Sequence, residues 1–485
     1  MASCSKDIVL PQKFSGSTAH ANLGPDFFDP VTAADFPKTI LRYRNQPWAE
    51  RMGLETLSDE EWINHFGRFA PLPDSFQKPL ALRYHGHQFR SYNPDIGDGR
   101  GFLFAQGFDH IDGTLRDFGT KGSGTTPWSR GGDGRLTLKG GVREVLATSM
   151  LEALGVETSK SFSLIETGEA LFRGDEPSPT RSSVLVRLSH SHIRIGTFQR
   201  LDMLDDHANM ARLVDHCIAH YYPQLADLPR AERVPAFLGA VATNVARVTA
   251  QWIAAGFVHG VLNTDNTNIT GESFDYGPWR FLPRYDPQFT AAYFDENGLY
   301  AFGRQPDTMA WNLTRLAECL VPLSTVSALE PELNRFWPAF QAALAGSIVS
   351  RLGLISRGAE ADGALLAAFF GFMQAEKPLY EQVFFDWRGG PASAERAKGS
   401  PQADLYSGAA FADFSAALNG YEPSISANLD HAYFKRTHPR TMLIEELEAI
   451  WAPIAENDDW SGLDAALGDI DVMGAAYREA IFTAN

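Results

Sequence analysis

The chain has 485 residues, 44% of them hydrophobic, and a formal net charge of −17 at pH 7. That length holds two large lobes or up to three domains around a substantial core. The negative charge argues against nucleic acid or an anionic membrane as partner, because a net negative surface repels both, and an anionic substrate then needs a local basic pocket.

From Leu80 to about Thr197, short runs rich in Phe, Val, Leu and Ile alternate with Gly-rich turns, as in Gly101-Phe-Leu-Phe-Ala105 and Ser183-Val-Leu-Val-Arg187, and predict strands. His85-Gly-His87 has no third ligand nearby and predicts packing or turn hydrogen bonding in preference to a metal site. Gly-Asp-Gly-Arg occurs at Gly97 to Arg100 and again at Gly132 to Arg135. Glycine lets a backbone approach a phosphate and the arginine offers a planar fork to its oxygens, although Asp-Gly is also an ordinary hairpin turn. Between them lies Lys121-Gly-Ser-Gly-Thr-Thr-Pro-Trp-Ser-Arg130, in which a strand lysine beside a Gly/Ser/Thr loop could reach phosphates. Asp117-Phe-Gly resembles a kinase metal motif but precedes that lysine, on the wrong side for the role, and no Walker A loop is present.

One helix interrupts the strands. Val142, Leu146, Met150 and Leu154 recur at helical spacing and Gly155 closes the segment, with Glu144 available to hold the Lys121 ammonium. Arg187 and Arg194 bracket Leu-Ser-His-Ser-His-Ile; each is either a surface ion-pair residue or a ligand for the candidate nucleotide site. From Asp206 onward helices dominate: Met210 to Tyr221 is amphipathic, and Pro235 to Ala255 forms a longer helix ending at Gly256. Leu443 to Trp451 is well patterned, and the polar Arg388 to Ala403 stretch predicts a mobile loop.

The long helix leads through Phe257-Val into His259-Gly-Val-Leu-Asn-Thr-Asp-Asn266, followed by Asp275-Tyr-Gly277. A kinase catalytic loop reads H-R-D-x-x-x-x-N and is followed by D-F-G. Asn266 and Asp275 occupy the metal-binding positions. Val261 stands where the base belongs, and Asp265 is the only carboxylate in the loop. Either the site has lost its chemistry or it runs it from a different position. His259 is expected to fix the loop by hydrogen bonding and not to act as a base.

Cys4, Cys217 and Cys319 form neither zinc spacing nor a disulfide framework, which predicts a reducing, cytoplasmic setting with Cys217 and Cys319 as small buried hydrophobes. The opening residues show no apolar signal core, and the first arginine is Arg42, unlike a transit peptide. The nearly uncharged stretch from Gly363 to Gln374 falls short of the about 20 residues a spanning helix needs.

In combination these segments resemble the selenoprotein O (SelO) family of kinase-fold protein adenylyltransferases, in a form without selenocysteine. The motifs are Tyr84-His-Gly-His-Gln-Phe89, both Gly-Asp-Gly-Arg turns, Lys121 to Arg130, Arg143-Glu144, Ser191-His-Ile-Arg-Ile-Gly-Thr-Phe198, and Gly256 to Asn266 with Asp275-Tyr-Gly-Pro278. The resemblance implies an α+β, bilobal protein-kinase-like fold, with residues 1–200 as N-terminal extension and strand-rich nucleotide-binding lobe. Residues 201–485 would form the helical lobe and a helical C-terminal extension. It also implies ATP bound in a flipped orientation, so that AMP passes to Ser, Thr or Tyr hydroxyls of proteins, self-modification included, with Mg2+ or Mn2+.

Carried over by position, Lys121 matches the phosphate-binding lysine and Glu144 its partner. Gly97, Gly99, Arg100, Asp133, Gly134, Arg187 and Arg194 match nucleotide contacts, Asp265 the proton acceptor, and Asn266 and Asp275 the metal ligands, Asp275 touching the nucleotide as well. Arg90-Ser-Tyr-Asn-Pro94 departs from a stretch that usually contains glycine, as does Phe104-Ala-Gln-Gly from its usual residues, and no C-terminal Cys supports redox control by the tail. The competing functions are a conventional γ-phosphate kinase and a nucleotide-binding pseudokinase scaffold; a complete metal pair weighs against the scaffold.

Overall fold

The computed structural model describes residues 13–174 and 176–478, and Cys4 lies outside them. The fold is α+β, with an antiparallel sheet and many helices. Two compact units interleave along the chain: one comprises residues up to 83, 95–141 and 161–192, the other 84–94, 142–160 and 193 onward.

In the first unit the nine-stranded sheet runs, along its main path, Phe28–Pro30, Leu80–Leu82, Leu103–Phe108, Leu115–Lys121, Thr180–Ser189, Lys160–Leu171 and Ile40–Arg44. Strand alternation sorts its side chains between two faces. Phe104, Phe118, Phe162, Val184 and Val186 join one apolar cluster with Trp62 and Phe66 of the helix Asp59–Phe66. Trp62 stacks on Phe162 with ring centroids 4.9 Å apart, and its indole N–H donates to Ser163 Oγ at 2.9 Å. Each such ring contributes about 1.5–3 kcal/mol on burial. That helix starts where Ser58 and Glu61 cap each other reciprocally, as the S-x-x-E spacing dictates.

The second unit contains the long helix Arg230–Ala255, which buries Phe237, Val241, Val245 and Trp252 and ends at Gly256 in the left-handed conformation (φ +65°). It begins five residues before Pro235, the start expected from the sequence, because the proline removes only one early hydrogen bond. The other expected helices are present as His207–Tyr221, Leu138–Ala153 and Ile444–Asn457, and Gly155 has φ +82°. Cys217 and Cys319 are buried free thiols. No helix among the described residues is long and apolar enough to cross a membrane.

The Arg388 to Ala403 stretch is not the loop expected. It winds through helical turns at Gly390–Ser393 and Ala394–Lys398, and Arg388 is only 1% exposed. Its guanidinium donates to the carbonyls of Ser350 and Arg351 at the end of the helix Phe336–Arg351, while Asp386 accepts from Ser400, Tyr406 and Gln382. The polar residues that suggested a loop are spent on internal hydrogen bonds.

Candidate active site

In the first unit, the segments singled out in the sequence meet. Lys121 ends the strand Leu115–Lys121, paired with Leu185, and Arg187 pairs with Gly119 two residues back. Paired residues share a face, so Lys121 and Arg187 lie on the side of the sheet opposite Phe118 and the aromatic cluster. Both are buried. Arg187 is not the last residue of its strand, which continues to Ser189.

Three loops are knitted together beside Lys121. Gly122 N–H donates to Arg100 O at 2.7 Å, Ser129 Oγ to Gly99 O at 2.5 Å, and Gly124 N–H to Gly134 O at 3.2 Å. Gly97 and Gly99 press on Trp128, where a Cβ would lie 2.6 Å from the ring and 2.8 Å from the carbonyl oxygen respectively. Gly134 has φ +68° and would drive a Cβ to 2.2 Å from Gly124. Packing alone therefore demands these glycines, and it also brings the two Gly-Asp-Gly-Arg turns to one loop cluster. Arg100 is exposed there, and Asp133 is ion-paired with Arg173 at 2.8 Å. The tempting Asp117 is buried in the same unit, accepting from Gln106 Nε2 and from His192 N–H.

In the second unit, Phe257–Val258 pairs with Arg280–Phe281, and the chain between them forms the candidate catalytic loop. Gly260 has φ +84° and sits where a Cβ would meet Pro278 O at 1.9 Å, so only glycine fits. His259 is buried and held below its usual pKa by that burial, hence neutral; its Nε2 donates to Phe274 O at 2.9 Å. This ties the loop to the residue before Asp275. Gln305, at the start of the helix Gln305–Leu320, accepts from His259 N–H and donates to Phe257 O. Glu144, on the helix Leu138–Ala153, is buried.

Asp265 lies in a single helical turn, Thr264–Asn266, and is 8% exposed. Burial pushes its carboxyl up to about 6, against the pull of the Arg194 guanidinium. Arg194 donates to Asp265 O at 3.1 Å and stacks over Tyr84 and Phe274. It is placed by backbone pairing of Ile193 and Ile195 with Ile269 and Thr267. Asp265 Oδ1 is buried without a hydrogen-bond partner. Beside it, half-buried Asn266 donates through Nδ2 to Asp275 Oδ2 at 2.9 Å.

Among the described residues no group of three or more His, Cys, Asp or Glu side chains is gathered to hold a metal. The donors present still suit a hard divalent cation. Mg2+ is commonly held by one or two carboxylates, with phosphate and water oxygens completing its shell. Asp275 and the amide oxygen of Asn266 are hard ligands of that kind.

A family model described as "Protein adenylyltransferase SelO" matches residues 12–471. The chain belongs to the SelO family. A relative from Gloeobacter violaceus is 45% identical, covering 91% of this chain and 92% of its own length. One from Synechococcus elongatus is 43% identical over the full length of both, and one from Alkalilimnicola ehrlichii is 39% identical over 76% of this chain and 74% of its own. All three are named "Protein nucleotidyltransferase YdiU". This SelO-family chain is thus a nucleotidyltransferase.

Sequence reasoning gave no role to several residues that contact the SelO-family loop. The hairpin formed by Gly86–Gln88 and Ser91–Asn93 lies on it. His87 N–H donates to Thr264 Oγ1 at 2.7 Å, Thr264 Oγ1 to Gln199 Oε1, and Gln199 Nε2 to His87 Nδ1, closing a ring of hydrogen bonds. Phe89 N–H and Tyr300 OH both donate to Asn263 Oδ1. His85 Nδ1 bonds Tyr92 OH at 2.8 Å, so both histidines of His85-Gly-His87 serve the hairpin. Only the Tyr84-His-Gly-His-Gln-Phe89 motif hinted at this segment.

Proposed function

We propose that this chain transfers AMP from ATP to Ser, Thr or Tyr hydroxyls of proteins, its own included, on a bilobal kinase-like fold. Residues 1–200 would serve the nucleotide, and residues 201–485 the metal and the acceptor. The observation that carries the reading is the Asp265 carboxylate. It is buried, has an oxygen without a hydrogen-bond donor, and adjoins the Asn266–Asp275 pair, while the kinase base position holds Val261.

The acceptor oxygen forms a bond to the α-phosphorus, and the bond from that phosphorus to the oxygen bridging toward the β-phosphate breaks, releasing pyrophosphate. The hydroxyl proton passes to Asp265. Lys121, Arg100, Arg187 and Arg194 supply positive charge for the triphosphate, with Gly97, Gly99, Asp133 and Gly134 shaping the loops and Glu144 orienting Lys121. Asn266 and Asp275 would hold Mg2+ or Mn2+, which when bound neutralises charge on phosphate oxygens. Two unpaired buried thiols suit a reducing cytoplasm. The negative chain charge favours protein acceptors over nucleic acid or membrane.

The test uses ATP labelled separately at the α- and γ-phosphates, with casein and the purified chain. Label from the α position should become covalently attached to protein. Attachment of γ-label alone would make the chain a conventional kinase, and nucleotide binding with neither label attached would make it a scaffold. Asp265→Ala should lower transfer by roughly 10²- to 10⁴-fold with ATP binding retained.

A further inference from the structure

In the second unit the C-terminal halves of the helices Arg230–Ala255 and Phe336–Arg351 border a cavity of about 280 Å³. Residues three, four and seven apart share one face of a helix, and the second helix gives Ala343, Gly346, Ser347 and Ser350 to this face. Larger side chains there would close the gap. A Cβ at Gly346 would meet nothing within 4 Å, so the space comes from the choice of small residues. At roughly 30 Å³ per liquid water the cavity has the volume of about nine waters.

Three guanidiniums border it, and two of them are neutralised. Arg247 is ion-paired with Glu157 at 2.7 Å and Arg351 with Glu381 at 2.6 Å. The third, Arg388, is buried with no carboxylate within ion-pair distance among the described residues. Its Nη1 donates to the carbonyls of Ser350 and Arg351 and its Nη2 to Tyr477 O at 3.5 Å, while Nε has no hydrogen-bond partner. Carbonyls at helix ends offer only a partial negative charge. A buried cation gains most from a full counter-charge with good geometry, and a guanidinium edge fits a carboxylate. Burial pulls the Arg388 pKa down to about 10; Tyr477 and Glu381 oppose that fall, and Arg351 and Arg396 deepen it. The group is still charged at pH 7.

We infer that this cavity binds a small organic carboxylate, with its charge toward Arg388 and its carbon body against Ala254, Ala343 and Gly346. One uncompensated positive charge matches a monoanion, and walls this poor in polar groups favour a ligand with an apolar body over inorganic phosphate. The site shares no residue with the Lys121 or Asp265 segments, so its test stands apart from adenylyl transfer.

The experiment is isothermal titration of the full chain at pH 7 with benzoate, benzamide and inorganic phosphate. Benzoate should bind about 10- to 100-fold more tightly than benzamide, which has nearly the same shape without the charge. Gly346→Leu fills the cavity and should weaken benzoate binding by about 10-fold or more, without lowering Tm, because leucine is the better helix former. Ser347→Asp, which adds a negative charge to the wall, should weaken benzoate binding, and Ser347→Asn should not. Arg388→Met should erase the preference for benzoate over benzamide; should that variant fail to fold, the Ser347 pair decides the role of charge. Equal affinity for benzoate and benzamide, wild-type benzoate affinity in Gly346→Leu, or no benzoate binding in the millimolar range would each overturn the inference. Tighter binding of phosphate than of benzoate would overturn the carboxylate assignment.

Discussion

Asn266 Nδ2 donates to Asp275 Oδ2 at 2.9 Å, joining two half-buried residues nine positions apart. Asp275 has φ +65°, a conformation that Asn and Asp tolerate and alanine does not favour. Asp275→Asn and Asn266→Ala should therefore keep the fold and lose metal-dependent transfer, whereas Asp275→Ala should also lower Tm. Removing divalent metal with EDTA should abolish transfer by the wild type, and Mg2+ or Mn2+ should restore it. Near wild-type turnover in both conservative variants would remove these residues from the site.

Arg90, in the turn of the hairpin Gly86–Gln88/Ser91–Asn93, is held at φ +63°. Glycine at that position relieves a left-handed penalty of about 1–2 kcal/mol. The exposed contact of Arg90 over Trp311, at 5.5 Å, offsets about 0.5 kcal/mol of it. Arg90→Gly should raise Tm in a thermal scan with transfer activity retained. A lower Tm would mean that the Trp311 contact outweighs the strain.

Buried Arg351 donates through Nη2 to both carboxylate oxygens of Glu381, at 2.6 and 2.7 Å, and through Nη1 to Ala254 O at the end of the long helix. Burial pushes the Glu381 carboxyl up, and the Arg351 charge opposes that shift. Removing one partner strands a buried charge. Glu381→Gln should cost about 3–5 kcal/mol in guanidinium unfolding, and the double variant Arg351→Met/Glu381→Leu should cost less than either single change. Additive losses would contradict this.

His20 in the first unit is held at about 4, against a usual 6.5, chiefly by burial; Asp117 pushes it up and His192 pushes it down. The folded state keeps this ring neutral while the unfolded chain protonates near 6.5. Its contribution to stability is thus present above pH 6.5 and is lost as pH falls from 6.5 toward 4, by at most about 1.4 kcal/mol per pH unit. Asp117 is held low and acts only below that window. A plot of Tm against pH from 7 to 4.5 should be flatter for His20→Gln than for the wild type. Equal slopes would assign the acid loss to another group.

The order of motifs, the helices at His207–Tyr221 and Arg230–Ala255, and the pairing of Asn266 with Asp275 were legible in the sequence. Helical periodicity is local, and Asn266 and Asp275 lie only nine positions apart. The sequence also showed that Val261 left Asp265 as the loop's only carboxylate. Other features depended on residues far apart in the chain. His87 meets Thr264 across 177 positions, and nothing in either segment announces that bond. Arg388 looked like a loop residue until the helix carbonyls it caps were in place. The raised pKa of Asp265 is likewise tertiary: burial moves a carboxyl by excluding water, and both that burial and the Arg194 guanidinium that opposes the shift come from elements assembled only by folding.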